Sequence, residues 1–152
     1  MAKNSSTAHA ATLNFGIIGN CKSAALINED SSIDWCCLPQ FDSPSVFGKI
    51  IDENIGGHFK IECDDDYVIK QTYIKNTAIL CTRFESDAHA FEVLDFMPRF
   101  QKDNGSYHAP PELTRVFRHI KGTPSCLIKY HPKLEYALGE TKSYVKKNFI
   151  VS

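Results

Sequence analysis

Five carboxylates lie in strand-like or turn-like surroundings, where they could do hydrolytic chemistry. They are Asp34, Asp42, Glu85, Glu92 and Asp95. Inverting hydrolysis of a glycoside needs a carboxylic acid on the leaving oxygen and a second carboxylate, about 6.5–9.5 Å away, that activates water. Most of the five alternate with Arg or Lys, which is typical of a solvated sheet face. Asp95, between two apolar residues, is expected to be partly buried and bonded to local backbone donors. We therefore predict that this chain alone contains no catalytic residue.

Other catalytic chemistries have weaker support. The six histidines lack metal-ligand spacing, and neither a GxSxG elbow nor a P-loop nor a dinucleotide fingerprint occurs. We predict no metal and no cofactor. Arg115 and Arg118 could bind a carboxylate or phosphate, but pairing with strand acids across a sheet is the simpler interpretation.

The cysteines allow two main interpretations. Most lie in apolar strand-like runs, where a cysteine behaves as a small buried hydrophobic residue. No CxxC pair occurs, and adjacent Cys36 and Cys37 would point to opposite faces of a strand. Buried free thiols are favoured, a structural disulfide is the main competitor, and metal binding comes last. The six are Cys21, Cys36, Cys37, Cys63, Cys81 and Cys126.

The stretch 31–47 holds the only Trp together with two Asp, two Pro and two Phe. Strand alternation predicts Ile33 and Trp35 on one face and Asp34 on the other. Asp42 is expected to accept backbone N–H bonds in an Asx-type turn. Either the stretch forms a loop presented to a ligand or a second domain, or it is a Trp-anchored corner of the core. The candidate interface residues are Trp35, Pro39, Phe41, Asp42, Ser43 and Pro44.

The side chains named above lie on short segments of alternating apolar and polar residues, separated by turn residues. They predict an all-β fold, an antiparallel β-sandwich of which this chain is the first portion. Ser45 and the following VFGKII suggest a short helical turn, whereas the loop 98–111 is expected to lack regular structure. The tail ends in a strand at 149–151 with no visible partner. Strands are predicted over 15–20, the hairpin 22–38, 57–63, 67–74, 78–85, 90–97, 113–122 and 124–132.

Length and composition set further limits. We predict a disordered arm over 1–12 and one truncated β-domain over 13–152 that stops before the sandwich is complete. A net charge of -1 gives no basic field for nucleic acid or anionic lipid, so neither partner is expected. The start lacks the apolar core of a signal peptide, and no apolar run reaches the about 20 residues of a membrane span. A soluble, cytoplasmic protein is expected.

The run IGNCKSAALINEDSSIDWCCLPQFDSPSVFGKIID (18–52) resembles the opening of glucoamylase- and trehalase-like proteins of glycoside hydrolase family 15. The similarity covers nearly everything from Leu13 to Ala137. This chain departs from the family pattern at Cys21 and Ser23, where Gly or Arg is commoner. It also departs at Cys36-Cys37, which doubles a position that usually holds one Cys. The similarity continues in register through 56–61, 73–85, 93–98, 114–122 and 129–137.

The resemblance implies an N-terminal β-sandwich that precedes an (α/α)6 barrel. In the family the barrel supplies the two catalytic glutamates that invert the anomeric centre, and nothing in this chain resembles it. The implied function is a non-catalytic domain that packs on and stabilises an α-glucoside-hydrolysing barrel. One rival is a stand-alone carbohydrate-binding module that stacks α-glucosides on Trp35, Tyr67, Tyr73 or Tyr107. Another is an inactive truncated remnant.

Overall fold

The computed structural model describes residues 14–64 and 66–152, and strands make up nearly all of its regular structure. The arm predicted over 1–12 lies outside the described residues. A single 3-10 turn covers Glu135–Ala137. The strands are β1 Phe15–Gly19, β2 Ala24–Asn28, β3 Ile33–Cys37, β4 Ser45–Phe47, β5 His58–Glu62, β6 Val68–Tyr73, β7 Leu80–Glu85, β8 Ala90–Phe96, β9 Phe100–Gln101, β10 Tyr107–His108, β11 Thr114–Lys121, β12 Leu127–His131, β13 Tyr144–Val145 and β14 Ile150–Val151.

Two antiparallel sheets form the fold. The first has the order β1-β2-β3-β5-β12, with β4 paired to β3, and the second has the order β11-β8-β7-β6. Short hairpins β9-β10 and β13-β14 stand beside them. The predicted antiparallel β-sandwich is confirmed.

The core lies between the two sheets, because alternate residues of their strands face each other. One cluster joins Ile18, Ile27 and Ile33 of the first sheet to Leu80 of the second. The other joins Ile61 of β5 to three residues of the second sheet. These three are Phe84, Phe91 and Val93.

A β-bulge in β3 corrects one predicted side-chain direction. Leu26 pairs with Trp35 and Ile27 pairs with Ile33, so Asp34 is the extra residue between two ladder positions. Ile33 therefore enters the core, while Trp35 lies half-buried beside Leu26 on the other face. The prediction that Ile33 and Trp35 share a face was wrong, since simple alternation does not hold across a bulge.

The predicted helical turn at Ser45 was also wrong. Ser45–Phe47 forms β4, in which Phe47 pairs with Cys36 and Ser45 with Cys37. Cross-strand pairing and burial of Phe47 in the core outweigh the local turn preference.

Two regions contain more regular structure than predicted. The loop 98–111 holds the hairpin of β9 and β10, whose turn Gly105 closes at a positive φ of 79°. The two prolines 110 and 111 come after it and do not interrupt it. In the tail, the strand predicted to lack a partner is β14, which pairs with the preceding β13.

All six cysteines are free thiols. Cys36 and Cys37 are buried, as expected. Cys21 and Cys126 are exposed, which corrects the expectation of burial for these two. Cys21 lies in a turn at a positive φ of 69°, and Cys126 immediately precedes the edge strand β12.

Candidate functional site

The most deeply buried charged group of the described residues is the ion pair of Asp95 and Arg115. These residues stand directly opposite each other on β8 and β11. Arg115 Nε lies 2.7 Å from Asp95 Oδ1, and Nη2 lies 3.0 Å from Oδ2. The Asp95 side chain is 0% exposed and that of Arg115 3%. The pair is a bidentate salt bridge shielded from solvent, the geometry that suits a planar guanidinium.

Arg115 also joins the two sheets. Its Nη1 donates to the carbonyl of Phe59, at 2.9 Å, and its Nη2 donates to the carbonyl and hydroxyl of Ser31, both at 2.7 Å. Its guanidinium carbon lies 4.8 Å from the centre of the Phe59 ring. One side chain of the second sheet thus binds β5 and the β2–β3 turn of the first.

Electrostatics agree with a structural role for Asp95. Removal from water raises the pKa of the Asp95 carboxyl above its ordinary value, and the Arg115 guanidinium limits that rise. Arg115 binds both carboxylate oxygens of Asp95, so neither oxygen is available to a substrate. The predicted burial of Asp95 is confirmed, but its donors come from an arginine instead of local backbone.

Glu92 forms a second ion-pair centre on the outer face of the same sheet. Arg83 Nη1 donates to Oε1 at 3.0 Å, and Arg118 Nε donates to Oε2 at 2.9 Å. Burial opposes ionisation, but the hydrogen bonds from Arg118 and Arg83 outweigh it and hold the pKa of Glu92 below its ordinary value. The expected cross-strand partners of Arg115 and Arg118 are confirmed.

Asp34 is buried as well, so the expectation of a solvated sheet face was wrong for Asp34 and Glu92. At the bulge, Asp34 Oδ1 accepts the Ser32 hydroxyl at 2.5 Å, and Oδ2 accepts the Asn28 amide at 3.1 Å. A bulge leaves one residue out of the ladder, and here that residue bonds the β2–β3 turn.

The three buried acids are therefore each bound by side chains of the domain itself. Asp34 serves the bulge, while Glu92 and Asp95 belong to ion pairs with arginines. Glu85 is exposed on the same sheet face and accepts Arg83 at 2.8 Å. Among the described residues, these carboxylates do not form the acid–base pair around an open cleft that glycoside hydrolysis uses.

The candidate interface residues divide into two groups. Pro39, Phe41, Asp42 and Pro44 are exposed in one surface loop after the cis Leu38–Pro39 bond, and Ser43 is half-buried there. Trp35 lies apart from them within β3. Phe41 is 61% exposed, which is unusual for a phenylalanine.

Hydrogen bonds fix the shape of this loop. The Phe41 N–H donates to the Lys22 carbonyl at 2.9 Å, and the Tyr136 hydroxyl donates to the Ser43 carbonyl at 3.3 Å. The Gln40 N–H donates to Ser43 Oγ at 3.1 Å, so serine closes the turn. Among the described residues no hydrogen bond to the Asp42 carboxylate is formed, and the Asx-type turn was wrong. These bonds hold the loop in a shape that exposes Phe41 to solvent.

A larger apolar surface lies where β11 and β12 end the two sheets. Phe117 is 42% exposed and Leu127 57%. Phe117 and Cys126 line one groove, so the two edges lie close together. We call this surface the apolar strip; it comprises Val116, Phe117, Ile120, Leu127, Ile128 and Tyr130.

In residues 14–64 and 66–152, no three His, Cys, Asp or Glu side chains come together as a metal ion would require. Within the same residues, no helix has the length and apolar character needed to cross a membrane.

In sequence, this chain is similar to one protein family and to several trehalases. The sequence model of the family of trehalase-like N-terminal domains matches residues 6–150. A trehalase of Thermoplasma volcanium is 33% identical over 136 residues, which are 88% of this chain and 21% of that protein. Trehalase 1 of Sulfolobus acidocaldarius is 39% identical over 87 residues, 57% of this chain and 15% of that protein.

A trehalase of Mycolicibacterium smegmatis is 28% identical over 138 residues, which are 80% of this chain and 20% of that protein. The chain spans about a fifth of the length of these curated relatives, or less. No solved structure matches it.

Proposed function

This chain belongs to the family of trehalase-like N-terminal domains, and on that premise we propose that it is a non-catalytic scaffold for a glycoside hydrolase. Its partner is the (α/α)6 catalytic barrel of the same polypeptide, which it contacts and stabilises. The barrel hydrolyses an α-glucosidic bond with inversion. Trehalose is the first substrate to test, because the relatives above are trehalases.

The apolar strip is the observation that carries this proposal. Unpaired strand edges and groups of exposed apolar side chains are features that soluble proteins normally cover. β11 and β12 present both features at the ends of their sheets. This chain matches about a fifth of the Thermoplasma volcanium trehalase. A protein of that length has further polypeptide with which to cover the apolar strip.

The internal bonding of the carboxylates supports the non-catalytic part of the proposal. Inverting hydrolysis requires an acid that is free to give its proton and a base that is free to hold water. Asp34, Glu92 and Asp95 are occupied by partners within the domain. The two catalytic carboxylates are therefore assigned to the barrel.

The loop around Phe41 is proposed as a second contact with the barrel. It is held in one shape by bonds to Lys22 and Tyr136, so presenting an aromatic side chain there costs little further conformational entropy. An exposed phenylalanine on a fixed loop is typical of a residue that anchors an interface.

The rival carbohydrate-binding module has less support from the aromatic side chains. Trp35 is half-buried within a sheet, and the hydroxyl of Tyr73 is bonded to both backbone groups of Ile17. One face of Tyr107 is covered by the Arg99 guanidinium, 4.1 Å from the ring centre. A stacking platform needs an open aromatic face.

A chimera tests the proposal. The segment of the Thermoplasma volcanium trehalase that matches this chain is replaced by this chain, and trehalose hydrolysis and thermal stability are measured. We expect an active, cooperatively folded enzyme. Phe117→Ser should destabilise the chimera by about 1.5–3 kcal/mol, the contribution of a buried apolar side chain, and should have a smaller effect on the isolated chain.

Phe100→Ser is the matched control, since Phe100 is exposed on the separate β9-β10 hairpin. It should change neither protein appreciably. The double substitution Phe41→Ala/Asp42→Ala tests the loop contact in the same chimera, where it should lower stability and activity. Equal effects of Phe117→Ser in chimera and isolated chain would reject the covered strip, and an unaffected Phe41→Ala/Asp42→Ala chimera would reject the loop contact.

A further inference from the structure

Two cysteines occupy opposed positions at one end of the β5–β12 ladder. Glu62 pairs with Leu127 in the last recorded pair of this antiparallel register. One step further along both chains are Cys63 and Cys126. Directly opposed residues of antiparallel strands have Cα atoms about 4.5–5.5 Å apart, within the range that a disulfide bridges.

Side-chain direction agrees with this placement. Phe59 and Tyr130 are opposed on the same ladder, and their rings pack at 5.4 Å between centres. Because alternate residues share a face, Phe59, Ile61 and Cys63 point the same way. Cys63 packs against the buried cluster around Ile61, which fixes that face as the inner one.

Cys126 points to the same inner side. It lines a groove together with Phe91 and Phe117, which belong to the second sheet. The two thiols also influence each other: burial, followed by the neighbouring Cys126, raises the pKa of Cys63 to about 11. Proximity is thus indicated by the register, by the shared face and by electrostatics.

The remaining cysteines are placed differently. Cys36 and Cys37 are adjacent in β3 and buried, Cys81 lies on the second sheet, and Cys21 is in an exposed turn. Adjacent cysteines on a strand point to opposite faces and do not bridge easily.

We propose that Cys63 and Cys126 form a redox modification site, in which a thiol oxidant converts the two thiols to a disulfide that locks β12 onto β5. The co-reactant is a small disulfide. Because β12 is an edge strand that is paired on one side only, the disulfide would hold a strand that has a single neighbour in its sheet.

With a small disulfide the chemistry balances in two exchanges. The exposed Cys126 loses its proton, and its thiolate attacks one sulfur of the oxidant, which forms a mixed disulfide and releases one small thiol. Cys63 then loses its proton and attacks the Cys126 sulfur, which forms the cross-strand bond and releases the second small thiol. Two protein thiols are oxidised by two electrons, and one small disulfide is reduced to two thiols.

Oxidised glutathione is the probe for the experiment, applied to the reduced 152-residue chain. The pKa of both thiols is raised, which makes thiolate scarce at neutral pH, so the bond should form more than about tenfold faster near pH 9 than near pH 7. Digestion with trypsin separates the cysteines. Cys63 lies on peptide 61–70 and Cys126 on peptide 122–129.

The expected result is a monomer in which peptides 61–70 and 122–129 are linked. Its melting temperature should rise by about 5 °C or more over the reduced chain, because the bond closes a long loop in the unfolded state. Cys126→Ser should abolish both the link and the rise. Cys21→Ser, which removes another exposed thiol, should change neither. A link between other peptides, a persistent mixed disulfide at Cys126 without closure, or a lower melting temperature after closure would overturn the proposal.

Discussion

At the scale of single residues, Arg115 is a buried side chain that connects the two sheets of the sandwich. It neutralises Asp95 and binds carbonyl groups of the opposite sheet at Phe59 and Ser31. The carbonyl bonds matter because an unpaired buried acceptor costs about as much as a lost hydrogen bond. The charge matters more, because a buried carboxylate without a partner is strongly disfavoured.

The first prediction concerns this residue. Arg115→Met should lower the free energy of unfolding by about 3–5 kcal/mol, since it leaves Asp95 as a buried, unpaired charge. Arg118→Met is the matched control: Arg118 is 53% exposed, and Glu92 keeps Arg83. It should cost about 1 kcal/mol or less. Urea unfolding followed by circular dichroism measures both, and equal losses would contradict the ranking of the two ion pairs.

The second prediction is a pH dependence that originates at Glu92. Its folded-state pKa lies below the ordinary value of 4.5, so its ionised form favours the folded state. The stabilisation is complete above about pH 4.5 and is lost as the pH falls through the folded-state pKa. Unfolding midpoints in urea should therefore fall between about pH 5 and pH 3, and Glu92→Gln should reduce that slope.

Glu53→Gln serves as its control, because Glu53 is an exposed loop residue. The slope with this substitution should match the unsubstituted chain. A Glu92→Gln profile that also matched would show that the arginine pairs of Glu92 do not contribute to the acid sensitivity.

Residue-level predictions from sequence succeeded where the partner lies on the neighbouring strand. Alternation indicated that Arg115 and Arg118 would pair with acids across the sheet, and they do. The bonds from Arg115 to Ser31 and Phe59 span the gap between two sheets, and no local pattern encodes which carbonyl lies there. The bulge at Asp34 was missed for a similar reason, since its stability comes from Ser32 and Asn28 side chains.

At the scale of elements, the turn between β4 and β5 is closed by two glycines. The Gly48 N–H donates to the Gly56 carbonyl at 2.7 Å, and Gly56 N–H donates to the Asp52 carbonyl at 2.9 Å. A Cβ on Gly56 would lie 2.2 Å from the Gly48 oxygen. Only a residue without a side chain fits this close approach of backbones.

The third prediction follows. Gly56→Ala should destabilise the chain by about 1–3 kcal/mol, as overpacking does in a tight site. Gly139→Ala is the control, because a Cβ there would meet nothing within 4 Å, and it should change stability by about 0.5 kcal/mol or less. Thermal unfolding measures both variants. Equal melting temperatures would contradict the close approach of the backbone at Gly56.

The long strands could be predicted because their residues alternate between core and surface. Leu80, Thr82 and Phe84 of β7 are buried, while Cys81 and Arg83 between them are half-buried. Ser45–Phe47 is too short for alternation to be read, and its pairing with β3 is decided by the buried Phe47. Hairpins of two-residue strands, such as β9-β10, leave a similarly weak pattern.

At the scale of the whole molecule, the region around β1 to β3 has a closed core, whereas the region around β11 and β12 exposes apolar side chains. Around β1 to β3 the core is closed by Ile18, Ile27 and Phe47. Around β11 and β12, apolar side chains of the strip are partly exposed at the sheet edges. The sequence alone did not predict the composition of the strip, which emerges only once both edges are placed in three dimensions.

The central claim is that the remainder of a trehalase-like protein covers this strip. Amide hydrogen exchange, compared between the isolated chain and the chimera described above, tests it most directly. We predict that protection of 114–121 and 127–131 rises in the chimera relative to that of the central strands β7 and β8. Unchanged relative protection of both edge strands would contradict the claim.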